Sequence, residues 1–578
     1  MNVIADKRCD LHRNNDFVQA LMNLYYAESQ NSSLGDVRTG LLSYYLHNDE
    51  MWEFNDCKNY PDRFAESVSL MADYQKYKPE NLQSLLQSIN ERTGKSKENG
   101  VYYTPEDLTS FIVLNSIAKA LLNLADVSLV NNDSMKQYLS GYSDKNKLAT
   151  MIANLSIYDP TCGTGAFIAQ ALETKLSLIQ HLGITIDDDI ISTIVSSLHG
   201  TDLDNFSLYV LKIRVLLLCS NYSSAKMLKN IDSIVGANFI ACNVLNFKPL
   251  EKYDVVVGNP PYVESSKLDY REITQYGNVY ADVLHHSLEY LKEDGVLGMV
   301  IPISYISTKR MAKIRNHIEL RAAHQIVLSY SDRPDCLFSG VHQKLNILFA
   351  KKKKTALHKI FTSDYCYWYA QDRSKLFQDI CIYENNVRLP DCYLKLSNDL
   401  EYSIYQKVTS FTESISQITQ KFGDDILYVN MRATYWIKSF ITDPGESSEY
   451  SKFAFTDNSI HLVNCVLNSS LFWWHWVKIS DCWHLTNKEL TTFTIPSINA
   501  NCELKLVELS KKIDAELQRT KQYIGSKQTM YEYKHKMCIN TIDLIDNQLA
   551  EIYHLTPIEL EYIKSFKRQY RTGEKSVE

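Results

Sequence analysis

Between residues 101 and 350, short β-branched runs alternate with stretches of helical spacing, and that alternation constrains the fold more than any other feature. Candidate strands fall at residues 155–158, 239–242, 254–257, 296–301, 325–328 and 345–349, with helical patterns at 166–182, 205–219 and 280–291. A strand that feeds a helix and then another strand builds a mostly parallel sheet covered on both faces. An α/β core is therefore expected, with its polar strand ends gathered at one rim.

The flanks have a different texture. Residues 1 to 92 carry helical spacing such as Leu82, Leu85, Leu86 and Ile89, and the polar run 93–100 reads as a linker. The lysines at 351–354 read as a solvated strand end, and residues 355–500 lose the alternation and become aromatic. Leu506, Leu509, Ile513 and Leu517, then Ile542, Ile545, Leu549 and Ile552, return to helical spacing. The 578-residue length suggests three or four domains, divided as a helical region 1–98, a core 99–354, a third domain 355–500 and a helical region 501–578.

The net charge of -7 argues against a uniformly basic nucleic-acid binder but leaves room for a local basic groove. Thirteen cysteines without a CxxC pair indicate reduced thiols rather than a zinc ribbon or a disulfide framework. No signal-peptide core opens the chain, and the apolar window 111–130 is broken by Asn115, Lys119, Asn123 and Asp126. A cytoplasmic protein with no membrane span is expected.

Four strand ends carry chemistry. "IYDPTCGTGAF" places Asp159 at a strand end, then Gly163 and Gly165 in a turn that opens a helix, where backbone can approach a ligand closely. The spacing is not that of a dinucleotide fingerprint or a P-loop. In "LHGTDLDNF", Asp202 ends the next strand, where a carboxylate can accept from two ribose hydroxyls, while Asp204 before Asn205 suits a helix cap. "NFIACNVLNF" ends a strand near Asn243, whose amide could pair with an adenine edge. "KYDVVVGNPPYVESS" runs an apolar strand into Asn259, Pro260, Pro261 and Tyr262, setting an amide and a flat ring at the rim.

The order of these motifs, with "NGVYYTPEDLTSFIV" upstream at 99–113, resembles the S-adenosylmethionine-dependent N6-adenine DNA methyltransferases of the gamma group, of type II and type IIG restriction–modification systems. The likeness is strongest over residues 99–350, and "LIDNQLAEIYHLTPIELEYI" is similar to the end of those polypeptides. It implies a Rossmann-like methyltransferase core, a helical N-terminal region and a C-terminal DNA target-recognition domain. The cofactor it implies is S-adenosyl-L-methionine, held by Tyr103, Thr104, Asp159, Gly163, Gly165, Asp202 and Asn243. Asn243 departs from the aspartate more usual in its motif. No metal is implied.

The implied catalytic residues are Asn259, Pro260 and Tyr262. An adenine amine is a poor nucleophile because its lone pair is delocalised, and acceptors on its hydrogens, the Asn259 amide oxygen and the Pro260 carbonyl, would localise it for in-line attack on a sulfonium methyl. The base must leave the duplex to be reached. Tyr262 would stack on it, and Phe338 in "CLFSGVHQKLNILFA" matches a second base-contacting aromatic. No Pro-Cys dipeptide occurs, which argues against a cytosine-C5 enzyme.

The segment 468–496 gathers Trp473, Trp474, His475, Trp476 and Trp483, most of them expected to fill the core of a recognition domain rather than to wedge into DNA. Lys478, Lys488 and Arg432 are candidate phosphate contacts. Double-stranded DNA is the expected partner, with a restriction or specificity subunit as a further one. Two alternatives stand beside this reading: a cofactor-binding modification subunit that needs its partners, and a protein glutamine methyltransferase, since Asn-Pro-Pro-Tyr serves any planar nitrogen. Residues 1–98 lack a convincing metal-dependent nuclease site.

Overall fold

The computed structural model describes residues 104–573, apart from 123–127, 224, 269–273, 339, 354–356, 421, 446, 456 and 526–529. Tyr103 and the helical reading of residues 1–98 lie outside the described residues. The chain forms two compact units. Of the described residues, the first takes those up to Ile301 with Asn316–Gln325 and Ile347–His358; the second takes Pro302–Arg315, Ile326–Asn346 and those from Lys359 on.

The first unit is built on strands β1 (Ile157–Asp159), β2 (Leu198–Asp202), β3 (Phe239–Ala241), β4 (Tyr253–Gly258) and β5 (Leu291–Pro302), with parts of β6 (Ala322–Tyr330) and β7 (Leu345–Lys352). They lie side by side in the order β3-β2-β1-β4-β5-β7-β6. The pairs β1–β2, β1–β4, β2–β3 and β4–β5 are parallel, as the alternation requires. Strand order reverses between β1 and β4, so the ends of those strands open onto a crevice. The buried residues of β4, Val255, Val256 and Val257, explain its apolar run: a strand covered on both faces cannot alternate.

Helices α1 (Glu106–Leu121), α2 (Asn132–Ser140), α3 (Lys145–Asn154), α4 (Ala166–His181), α5 (Asp188–Ser196), α6 (Asn205–Ser220), α7 (Ala225–Asn238) and α8 (Val279–Tyr290) belong to this unit. Their starts follow local chemistry. Asp187 and Asp204 accept the Ile190 and Ser207 N–H groups at 2.9 and 3.0 Å, satisfying first-turn donors. At the far end of α8, Lys352 Nζ donates to the Leu288 and Leu291 carbonyls, both at 2.8 Å, so Lys351 and Lys352 are buried rather than solvated.

The second unit carries β8 (Lys359–Cys366) antiparallel to β9 (Tyr383–Glu384), and a small sheet in which Asp425–Asn430 pairs with Ser439–Phe440 and Tyr450–Phe455. Helices α9 (Asp399–Val408), α10 (Ser459–Asn468), α11 (Ser470–Ile479), α12 (Ala500–Thr520), α13 (Ile539–Ile552) and α14 (Pro557–Ser565) complete its core. Trp473, Trp474 and Trp476 are fully buried on α11, as expected for core residues. Lys478 is buried with them and is no surface cation. Lys488 donates to the Ser307 and Ile479 carbonyls, and Arg432 pairs with Glu449. Among the described residues no helix is long and apolar enough to cross a membrane.

Candidate active site

The first unit brings Thr104, Asp159, Gly163, Gly165, Asp202 and Asn259 into one hydrogen-bonded rim. Its floor is the turn after β1. Gly165 takes φ +82°, a conformation that favours glycine, and a Cβ there would stand 2.6 Å from Leu211 Cγ on α6. Gly163 takes φ +50° and its N–H donates to Asp202 Oδ2 at 2.8 Å. The other carboxylate oxygen, Oδ1, accepts the Asp204 N–H at 2.9 Å. The loop is thus closed across β1 and β2, and the Cys162 N–H to Thr201 carbonyl bond at 2.9 Å extends the closure.

Asp159 is buried beneath this turn, with Oδ1 accepting the Thr161 N–H at 3.0 Å. Burial pushes its carboxyl up to about 8, only partly opposed by the Thr161 N–H and reinforced by the nearby Asp202. Asp202 is also raised by burial, with the Asp204 and Gly163 N–H groups pulling the other way. Gly258 at the end of β4 faces Asp159: a Cβ there would meet Oδ1 at 2.8 Å. Asp159 and the end of β4 therefore need each other's shapes.

Beyond Gly258 the chain turns through Asn259–Tyr262. Asn259 Nδ2 donates to Thr104 Oγ1 at 3.2 Å, and Asn259 Oδ1 accepts the Tyr262 hydroxyl at 2.6 Å. The same hydroxyl lies 3.1 Å from the Val300 carbonyl on β5. The Thr161 hydroxyl approaches the Asn259 carbonyl at 3.4 Å, joining the glycine turn to this loop. The Tyr262 ring meets Tyr280 edge to face, centroids 6.4 Å apart. Both faces of the Asn259 amide are thereby engaged by hydroxyl groups, and the whole assembly rests on strand ends and on the start of α1.

Asn243 stands just past β3, its side-chain oxygen accepting the Leu245 N–H at 3.0 Å. Any further acceptor role falls to that oxygen's second lone pair. Phe338 is buried in the second unit, bridged to Val341. Sequence reasoning passed over four residues that the structure adds to the rim. Thr161 and Val300 join the Asn259–Tyr262 loop through hydrogen bonds. Leu203, directly after Asp202, and Ile240, opposite Thr201 on β3, are 61% and 43% exposed. Apolar side chains left in water beside a strand-end carboxylate are the signal that could have found the last two.

The fit to an adenosyl cofactor can be judged on these atoms. The Asp202 carboxylate takes N–H groups from Gly163, Asp204 and Leu203 and, with about four acceptor sites, keeps capacity for a ribose hydroxyl, while Leu203, next in the chain, and Ile240, on the neighbouring strand, carry exposed apolar surface. Gly163 and Gly165 leave backbone close to the rim with no side chain of their own. Asp159 is a carboxyl that a cation placed near it would ionise. These residues fit an adenosyl group carrying a positive charge.

Residues 196–333, which include the Asn259–Tyr262 loop, match the family model described as Eco57I restriction-modification methylase. The type II methyltransferase M.BstVI of Geobacillus stearothermophilus is 26% identical over 194 residues, 31% of this chain and 33% of that protein. The modification methylase CviBIII of Paramecium bursaria Chlorella virus NC1A is 31% identical over 151 residues, 25% of this chain and 30% of that protein. The chain thus spans about a third of the length of these two relatives. Among solved structures, the type IIL restriction-modification enzyme MmeI in complex with DNA superposes with a TM-score of 0.53 over 97% of this chain and 94% of that one, at 13% identity. That likeness speaks for the fold. Residues 196–333 are thus similar to restriction–modification methylases, within an α/β fold that the chain shares with that enzyme.

Proposed function

We propose that this protein is a site-specific DNA adenine-N6 methyltransferase of a restriction–modification system, with S-adenosyl-L-methionine as its cofactor. The observation that carries the reading is the Asn259 amide, held at the end of β4 with its oxygen turned toward Tyr262, inside the segment that matches the methylase family. When bound, the cofactor supplies an electrophilic sulfonium methyl. Asp202, Gly163 and Gly165 hold its adenosyl end, with Asn243, Leu203 and Ile240 around the base.

The chain's own part in transfer is to prepare the amine. Asn259 Oδ1 and the Pro260 carbonyl accept the two amine hydrogens, drawing the nitrogen toward tetrahedral geometry and freeing its lone pair. Prolines at 260 and 261 restrict this turn before substrate arrives, so little reorganisation remains. The Tyr262 hydroxyl occupies Oδ1 in the resting site, so an incoming amine shares or displaces that bond. The Tyr262 ring stacks on the extruded base, and that stacking contributes about 1–3 kcal/mol.

The partner of this reading is double-stranded DNA, as in the solved complex of the enzyme that shares the fold. The residue blocks carry over to it as a methyltransferase domain 99–354, a target-recognition domain 355–500 and a helical end 501–578. The test is transfer of labelled methyl from S-adenosylmethionine to mixed-sequence duplex DNA, read as N6-methyladenine after digestion, beside Asn259→Ala. Label on adenine with wild type and about 100-fold less with the variant is expected. Label on the protein instead would point to a glutamine acceptor, and no label at all would refute activity of the chain alone.

A further inference from the structure

Asn259 presents an unusual problem of direction. Its amide is flat, with an acceptor on one side and a donor on the other, and a half turn about its last bond exchanges them. Only one sense is productive: Oδ1 must face the amine, because Nδ2 there would set hydrogen against hydrogen. The two partners of the amide are both hydroxyls, Thr104 at 3.2 Å and Tyr262 at 2.6 Å, and a hydroxyl can donate or accept. Neither partner alone selects the sense.

In the reversed sense, Thr104 would donate to the amide oxygen, the amide nitrogen would donate to the Tyr262 oxygen, and the Tyr262 proton would go to the Val300 carbonyl 3.1 Å away. That scheme satisfies every group with the same heavy atoms in place. In the productive sense the Thr104 hydroxyl accepts from Nδ2 and keeps its own proton to give elsewhere. Whatever takes that proton forces the amide into the productive sense, since a hydroxyl whose hydrogen is spent can only accept.

Thr104 is placed to act on this choice. It is 5% exposed and precedes Pro105, whose ring fixes the backbone at φ -59° where α1 begins. Helix α1 is packed firmly: Phe111 meets Phe349 edge to face at 6.0 Å, and a Cβ on Gly298 of β5 would stand 2.1 Å from Ser116 Oγ. The Thr104 hydroxyl is thus buried two residues before a firmly packed helix, while the loop it faces carries the proposed reacting groups.

We infer that Thr104 is a positioning residue whose hydroxyl proton, taken by an acceptor of the bound cofactor, locks the Asn259 amide with its oxygen toward the methyl acceptor. This rests on the proposed methyltransferase reading and adds a coupling to it: cofactor binding sets the sense of the catalytic amide. Coupling of this kind is reciprocal, so Asn259 must be felt in cofactor affinity through Thr104.

That reciprocity can be measured without any methyl transfer. S-adenosylmethionine and S-adenosylhomocysteine are titrated by calorimetry into wild type, Thr104→Val, Asn259→Ala and the double variant of the full chain. Asn259→Ala is expected to weaken binding about threefold when Thr104 is present and by less than about 1.5-fold in the valine background, a coupling of the size adjacent polar partners show. Equal effects in both backgrounds would overturn the inference. Thr104→Ser keeps the hydroxyl and is expected to restore the coupling; failure to do so also counts against it. At saturating cofactor, Thr104→Val is expected to lower the turnover number about tenfold, whereas a residue that only holds the cofactor would change affinity and leave turnover intact. Wild-type protein that shows the binding cycle but transfers no methyl to DNA would refute the DNA reading and leave the coupling established.

Discussion

Asp159 ties a loop to a strand end and carries a titration with it. Its carboxyl, raised to about 8 by burial and by Asp202, is mostly protonated at neutral pH. A folded-state value above the unfolded one means the folded protein holds the extra proton between about pH 4 and 8. Stability from this group is full below about pH 4 and is lost as pH rises through 8. Asp159→Asn keeps the acceptor for the Thr161 N–H and removes the titration, so its denaturant midpoint should change less between pH 6 and 8.5 than that of wild type. A variant as pH-sensitive as wild type would sink the assignment. Tyr262 permits a second test at the same scale. Tyr262→Phe keeps the ring and frees Asn259 Oδ1, so the KM for DNA should fall about two- to fivefold with turnover within about twofold, whereas Tyr262→Ala should lose about 10- to 100-fold in kcat/KM with the stacking. Residue types made this site readable. Asp204, predicted as a cap from its place before Asn205, does accept the Ser207 N–H at 3.0 Å. The hydroxyl pair around Asn259 was not readable, because Thr104 lies 155 residues away and only the sheet order brings them together.

At the scale of elements, the turn from β1 into α4 is the most demanding piece. Gly165 must hold φ +82° and must leave room for Leu211, two requirements that alanine breaks together. Gly163, at φ +50° with open space around its Cβ position, meets only the first. Gly165→Ala should therefore cost about 1–3 kcal/mol, strain plus overpacking, and Gly163→Ala about 1 kcal/mol or less. Thermal unfolding of the two variants checks the order; a Gly163 variant less stable than the Gly165 one would contradict it. The elements of the first unit were legible because β-branched runs and helical spacing alternate there at short range. Strand boundaries moved by a few residues, as β5 runs over Leu291–Pro302 against an expected 296–301. Helices α10 and α11 were not legible. In α11 every residue is buried, so no solvent-facing stripe marks the helix, and in α10 the polar stripe of His461, Asn464 and Asn468 is turned to buried partners, Ser439 and Ser510, rather than to water. The lysine run 351–354 misled for a related reason: composition says nothing of the backbone carbonyls waiting for Lys352 at the end of α8.

For the molecule as a whole, the least foreseeable feature is a charged network inside the second unit. Lys478 of α11 donates to Asp364 of β8 at 2.7 Å and to Glu401 of α9, and Lys567 reaches the other Asp364 oxygen at 2.7 Å. The Tyr562 hydroxyl of α14 also donates to Glu401. One network thus joins a strand, three helices and Lys567, the second residue after α14, groups separated by up to about two hundred positions in the chain. Burial alone would raise Asp364, but Lys478 and Lys567 outweigh it and hold the carboxyl below its usual range. Sequence could not disclose this, since a lysine among tryptophans reads equally well as a surface cation. Removing the lysine leaves two carboxylates buried with less compensation, and breaking a buried pair in that way costs about 3–5 kcal/mol. Lys478→Met, close in length and apolar, should therefore lower the urea midpoint at pH 7. The sign of its pH dependence is fixed by the carboxylates. In wild type the Asp364 contribution is present above about pH 4 and fades as pH falls through the depressed folded value. In the variant the Asp364 carboxyl loses Lys478, rises and takes up its proton sooner, so the gap between the two proteins should narrow from pH 7 to pH 5. Urea unfolding at both values decides the matter: a gap that stays constant or widens on acidification would show that Lys478 acts by packing its stem rather than by compensating charge.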